Sequence, residues 1–97
     1  MPTFKVTNKA KEDLIGIARF TEATWGRDQR KFYLKQLDST FHALAENPSL
    51  GRKCDEIRQA YYKYPEGSHV IFFRLGTDSS IDIIRILHKR MDVASHL

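Results

Sequence analysis

Apolar residues change their spacing along this chain, and the changes divide it into elements. Thr3–Val6 is a short run of β-favouring residues, expected as a strand. Thr7 and Asn8 then offer side-chain oxygens as caps for a helix with Glu12 and Asp13 near its start. Leu14, Ile17, Ala18 and Trp25 are spaced for one face of that helix, and Gly26 is expected to end it. Asp28 is expected to cap a second helix, in which Leu34, Leu37, Phe41 and Leu44 recur at steps of three and four until Asn47 and Pro48 stop it. The joint, residues 26–28, is so short that the helices must run antiparallel as a hairpin.

Past the hairpin the period changes. Residues 48–55 carry Pro48, Ser49, Gly51, Arg52 and Asp55 and read as a polar loop without periodicity. Residues 60–64, 69–75 and 81–87 are then rich in aromatic and β-branched side chains. Turn residues Pro65, Glu66 and Gly67, and then Gly76, Thr77 and Asp78, separate them. Three strands in a meander are expected. The last holds apolar residues at both parities, as a strand covered on two faces requires. Arg85 interrupts it on the parity of Ile83 and Leu87. Because an unpaired buried charge is expensive, that face is expected to open at one end to a ligand or partner. The fold class is α+β: an N-terminal strand, an antiparallel helical hairpin, and a three-stranded antiparallel meander completing one sheet. Residues 1–97 are expected to form one domain, since this length lies below the size at which chains divide.

Composition narrows the partners more than the fold. Lys and Arg exceed Asp and Glu by 16 to 12, giving a formal charge of +4 that suits an acidic partner. The basic residues are dispersed rather than gathered in a tail. Cys54 is the single cysteine, which excludes an internal disulfide and a cysteine zinc site and fits a reducing cytoplasm. Beside Arg52 and Lys53 it reads as an incidental loop thiol whose pKa neighbouring cations would lower. Residues 1–6 hold no apolar run of signal-peptide length, and stretches such as 70–73 are too short to span a bilayer. A cytoplasmic protein that avoids membranes is expected.

Several stretches resemble one family. They are Trp25-Gly26 at the helix joint, Pro48 with Gly51-Arg52, and Gly67-Ser68-His69-Val70-Ile71-Phe72-Phe73-Arg74. The ending, Ile84-Arg85-Ile86-Leu87-His88-Lys89-Arg90-Met91-Asp92 followed by residues 93–97, is the most specific. These resemble the ParE branch of the ParE/RelE toxins of toxin-antitoxin systems over nearly the whole chain. The resemblance implies a toxin that poisons DNA gyrase and blocks replication. It also implies a ParD-like antitoxin, hetero-oligomeric with the toxin, and toxicity that depends on the C-terminal region. Arg85, His88, Lys89, Arg90, Met91, Asp92 and His96 are the resulting candidates for contact with target or antitoxin. No catalytic residue, cofactor, metal or direct nucleic-acid specificity is expected.

The RelE branch shares the fold and cleaves mRNA on the ribosome, with basic side chains on the phosphate and an ionisable group moving the 2′-hydroxyl proton. Its members usually carry a tyrosine near the C-terminus, whereas no tyrosine follows Tyr64 here. His88 or His96 with Arg85 and Arg90 are the only substitutes on that stretch. Histidines at a strand end and in a tail more often bond backbone and solvent. His69, His88 and His96 lack the spacing of a metal site. Arg58 and Arg74 read as cross-strand partners of Glu56 and Asp82 rather than as sites. Tyr61, Tyr62, Tyr64, Phe72 and Phe73 read as sheet and core rather than as a base-stacking platform.

Overall fold

The computed structural model describes residues 3–77 and 79–97, without the side chain of Ala94. Asp78 of the expected second turn, and residues 1 and 2 of the opening stretch, lie outside them. The chain runs β1 (Thr3–Val6), α1 (Asn8–Trp25), α2 (Arg27–Glu46), a 3₁₀ turn (Pro48–Leu50), β2 (Arg52–Lys53), β3 (Tyr61–Glu66), β4 (His69–Leu75), β5 (Ser80–His88) and α3 (Val93–His96). The five strands form one sheet in the order β1-β5-β4-β3-β2, with β1 parallel to β5 and the other pairs antiparallel. This is the expected α+β architecture, with one strand more than the meander required.

Local chemistry sets the boundaries. Thr7 caps α1: its Oγ1 accepts from the Ala10 N–H at 3.1 Å. Gly26, at φ 96°, ends α1 and begins α2 directly, so Asp28 lies in the first turn of α2 and makes no capping bond. There its charge still opposes the positive end of the helix dipole. The buried stripe of α1 is Ala10, Ile17 and Thr21, with Leu14 half-buried; Trp25 is 70% exposed. Trp25 is eight residues beyond Ile17, which rotates it about 80° off the stripe.

One face of the sheet carries the main core. Leu37, Phe41 and Leu44 of α2 and Ile17 of α1 pack there on Ile71, Phe73, Ile81, Ile83 and Ile86. The opposite face holds a smaller cluster of Cys54, Phe72 and Leu87, closed by Ile57, Tyr61, Val70, Val93 and Leu97. The expected polar loop is partly ordered: β2 pairs with β3, and the Cys54 N–H donates to the Tyr61 carbonyl at 2.9 Å. That pairing turns Cys54 inward to 0% exposure, and burial raises its thiol pKa, the reverse of a cation-activated loop thiol.

A β-bulge corrects the expected face of Arg85. Phe72 opposes Arg85 while Phe73 opposes Ile83, so Ile84 is the extra residue. Ile83 and Ile86 consequently both enter the main core, while Leu87 joins the opposite cluster. Arg85 therefore does not share the face of Ile83.

Candidate functional site

The β1 ladder against β5 stops at Val6 opposite Ile83, leaving the later part of β5 without a neighbouring strand on that edge. Side chains take over. The Thr7 N–H donates to the Ile83 carbonyl at 3.1 Å, and Thr7 Oγ1 donates to the Ile84 carbonyl at 2.9 Å. Asp13 Oδ2, further along α1, accepts from the Ile86 N–H at 3.0 Å. The same carboxylate receives Arg85 in a two-pronged pair, Nε to Oδ2 at 2.8 Å and NH2 to Oδ1 at 2.9 Å. Both side chains are largely buried, at 16% and 13% exposure. The hydrogen bond to Asp13 holds the guanidinium protonated beyond its ordinary range despite burial. Its remaining arm donates to the His96 carbonyl at 2.8 Å and so ties down the C-terminal turn.

The sequence candidates divide into three groups. Arg85 and His96 meet on the outer face, the one away from the helical hairpin, in a pocket of about 290 Å³ shared with Lys9, Arg58, Arg74 and Leu97. His88 and Met91 lie on the other side, in a groove of about 380 Å³ with Phe20, Ile17, Glu12 and His69. Lys89, Arg90 and Asp92 are exposed at the tip between them, where the Lys89 N–H donates to the Ser68 carbonyl at 3.0 Å. Asp92 accepts from the Ser95 hydroxyl at 2.8 Å.

His88 faces His69 across the strands, ring centroids 5.5 Å apart at 83°. Its Nδ1 accepts from the Arg90 N–H at 3.2 Å, the backbone bond expected of a strand-end histidine. His69 is placed by Tyr33 of α2, whose hydroxyl lies 3.0 Å from the Glu66 carbonyl and 2.7 Å from His69 Nδ1. A phenol has one proton and a carbonyl can only accept, so Tyr33 donates to Glu66 and His69 Nδ1–H donates to Tyr33. This tautomer turns the Nε2 lone pair away from Tyr33. Burial, with His88 second, lowers the His69 pKa and keeps it neutral. Gly67, at φ 57°, permits the approach: a Cβ there would lie 2.7 Å from the Tyr33 ring.

Sequence spacing missed Asp13, which lies 72 residues from its partner. It also set aside Arg58 and Arg74, and it gave no role to Tyr33 or Phe20. Among the described residues, no group of three or more His, Cys, Asp or Glu side chains is placed to hold a metal ion. No helix of the described residues is long and apolar enough to cross a membrane.

Residues 4–93 match the family model of the ParE toxin of type II toxin-antitoxin system, parDE. The chain belongs to the ParE toxin family. It is 47% identical over 73 residues to the toxin ParE1 of Mycobacterium tuberculosis, covering 75% of this chain and 74% of that protein. With the toxin ParE1 of Caulobacter vibrioides it shares 35% identity over 97 residues, 100% of this chain and 99% of the other. A toxin ParE of Escherichia coli is 28% identical over 97 residues, covering 100% of this chain and 94% of that protein. Among solved structures, a chain of the chromosomal ParDE TA system from P. aeruginosa superposes with a TM-score of 0.75 at 19% identity, covering 91% of this chain and 96% of that one. A chain of the toxin-antitoxin complex RelBE2 from Mycobacterium tuberculosis gives 0.62 at 19% identity, covering 92% and 100%. Both structural neighbours share the fold, so the fold does not separate ParE from RelE; the sequence match does. This chain is a ParE-type toxin of a type II toxin-antitoxin system.

Proposed function

We propose that this toxin acts in the cytoplasm by binding DNA gyrase and trapping its cleaved-DNA state, which blocks replication, and that a ParD-like antitoxin neutralises it. The observation that carries the reading is the ParE match over residues 4–93, with full-length similarity to the Caulobacter toxin. In this mechanism gyrase breaks the bond and the toxin supplies a surface. The chemistry of the C-terminal end supports that division. Arg85, the cation best placed to clamp a phosphate, is already neutralised by Asp13, and His88 Nδ1 is engaged by backbone. Neither is arranged for phosphoryl chemistry.

Antitoxin binding is assigned to the hairpin groove of about 380 Å³ lined by Phe4, Val6, Leu14, Ile15, Leu34 and Phe41. An amphipathic segment that folds as it binds would bury its apolar positions there. Its acidic residues would meet a toxin of net charge +4.

The test is a supercoiling and DNA-cleavage assay with purified gyrase, ATP and toxin, run beside ribosomes programmed with mRNA. Gyrase-linked linear DNA with intact mRNA is expected. Cut mRNA with undisturbed gyrase would replace this reading with ribosome-dependent cleavage, and activity in neither would reject both.

A further inference from the structure

On the hairpin side of the sheet, α1 and the paired ends of β4 and β5 border a groove of about 380 Å³. On α1, Glu12, Gly16 and Phe20 follow at steps of four, so a carboxylate, a gap and an aromatic ring stand in line along one helical face. The gap is open space: a Cβ at Gly16 would meet nothing within 4 Å. Phe20 is 65% exposed and Met91, past the end of β5, is 45% exposed, which leaves apolar surface in water on both sides of it. Asp13 is neutralised by Arg85, whereas Glu12 forms no ion pair among the described residues. Two histidines complete the lining. His69 gives its Nδ1–H to Tyr33, and His88 receives the Arg90 N–H on Nδ1, so His69 Nε2 is an acceptor and His88 Nε2 carries a proton. Among the described residues neither Nε2 has a partner and no side-chain polar atom is buried without one, so both are open to water. The two rings, 5.5 Å apart, thus offer one acceptor and one donor to the groove.

We infer that this groove binds a short extended segment of a partner protein, one that carries a basic side chain beside an apolar one. The basic side chain pairs with Glu12, and the apolar one covers Phe20 and Met91. A backbone peptide group lies against the imidazoles, its carbonyl accepting from His88 and its N–H donating to His69. Glu12 to Phe20 is about 12 Å along the helix, the reach of roughly three to four extended residues. A wholly apolar occupant would cover Glu12 and two imidazole nitrogens without giving them partners, which is costly. A nucleic-acid backbone would meet a carboxylate and no cation, since neither Lys nor Arg lines the groove. The protein as a whole carries +4, with Lys89 and Arg90 exposed at the tip, but charges beyond about 8 Å are screened at physiological salt, so Glu12 decides locally. The groove shares no lining residue with the hairpin groove or the outer pocket. The inference does not rest on the gyrase reading.

The experiment is a titration of the whole protein, followed by its amide spectrum, with a five-residue peptide blocked at both ends: arginine between two leucines, with glycine outside them. A second peptide carries citrulline for arginine, which keeps the shape and removes the charge. The arginine peptide is expected to shift the amides of Gly16, Phe20 and His69 and to saturate. The citrulline peptide is expected to bind about tenfold more weakly, the loss of one charge-assisted contact. Glu12 is exposed, so Glu12→Gln keeps the fold, and both peptides are expected to bind this variant with the weaker affinity. Gly16→Leu fills the gap with a residue that favours the helix and is expected to abolish binding, its fold checked by circular dichroism. Equal affinity of the wild type for the two peptides would overturn the proposal. So would unchanged binding in Gly16→Leu, shifts confined to another face, or the absence of saturable binding.

Discussion

On one side of the sheet, helices of 18 and 20 residues lay continuous apolar stripes over Ile71, Phe73, Ile81 and Ile83. On the other, Cys54, Phe72 and Leu87 are closed by a turn and a helix of four residues, latched by Arg58 and Arg85 to main-chain oxygens. The sheet is the same, and neighbouring residues of β4, Phe72 and Phe73, are both buried. What differs is the cover. The hairpin is held by packing over a large area, which is not given up piecemeal. The outer layer is held by a few polar bonds and three half-buried side chains, Ile57, Val93 and Leu97, and can open on its own. The inner face therefore carries stability, and the outer face is the one able to change.

The largest effect expected from that contrast is at Leu37, which is fully buried under the hairpin. Leu37→Ala is expected to cost roughly 2–5 kcal/mol in urea denaturation. Leu97→Ala, a partly buried position in the outer layer, is expected to cost about 1 kcal/mol or less. Equal losses would mean that the two covers are energetically alike.

Asp13 joins the two regions, since it sits on α1 and receives both Arg85 and the Ile86 N–H. Asp13→Ala strands a largely buried guanidinium and a backbone donor, for a loss of roughly 2–3 kcal/mol. Asp13→Asn keeps an acceptor oxygen and is expected to lose less; a reversed order would show that the retained oxygen does not serve Arg85 and the Ile86 N–H.

Strain lies on the outer side. Ala60, before β3, has φ 68°, a conformation costly for an L-residue. Ala60→Gly is expected to raise the unfolding free energy by about 0.5–1 kcal/mol, net of the added freedom of the unfolded chain. Unchanged or reduced stability would argue against stored strain.

The smallest effect expected is a pH response centred on the inner groove. Burial depresses the folded pKa of His69 below its ordinary value of 6.5, with His88 adding to the shift. For a base so shifted, the unfolded chain binds the proton more readily. Above about pH 7 the group has no effect on stability, and stability falls as pH drops through 6.5 toward the lower folded value. Midpoints at pH 7.5 and 5.5 are expected to differ more in the wild type than in His69→Gln. Equal differences would place the titration elsewhere.

The hydrophobic pattern made the helices and the three long strands legible, because 3.6- and 2-residue periods are local signals. The Thr7 cap was legible for the same reason. Trp25 misled because an apolar residue was counted without its rotation, while Thr21 filled the stripe. The bulge at Ile84 and the two-residue β2 are set by what lies across the sheet, so nothing in their own stretches announced them. The candidate C-terminal residues were found as a segment, but strand alternation sends His88 to one groove and Arg85 to another, and the chain beyond β5 adds Met91 to the first and His96 to the second. Asp13, Lys9, Arg58 and Arg74 join them only in three dimensions.

Cys54 reports most directly on whether the outer layer opens without the rest of the molecule. It is wholly buried there, and burial raises its thiol pKa, so reaction with a thiol reagent requires opening. Labelling should run faster in water than global unfolding allows, vary little with low urea, and accelerate in Leu97→Ala while Leu37 stays packed. A labelling rate that follows the global unfolding equilibrium, with its full urea dependence, would contradict this and make the two faces one cooperative unit.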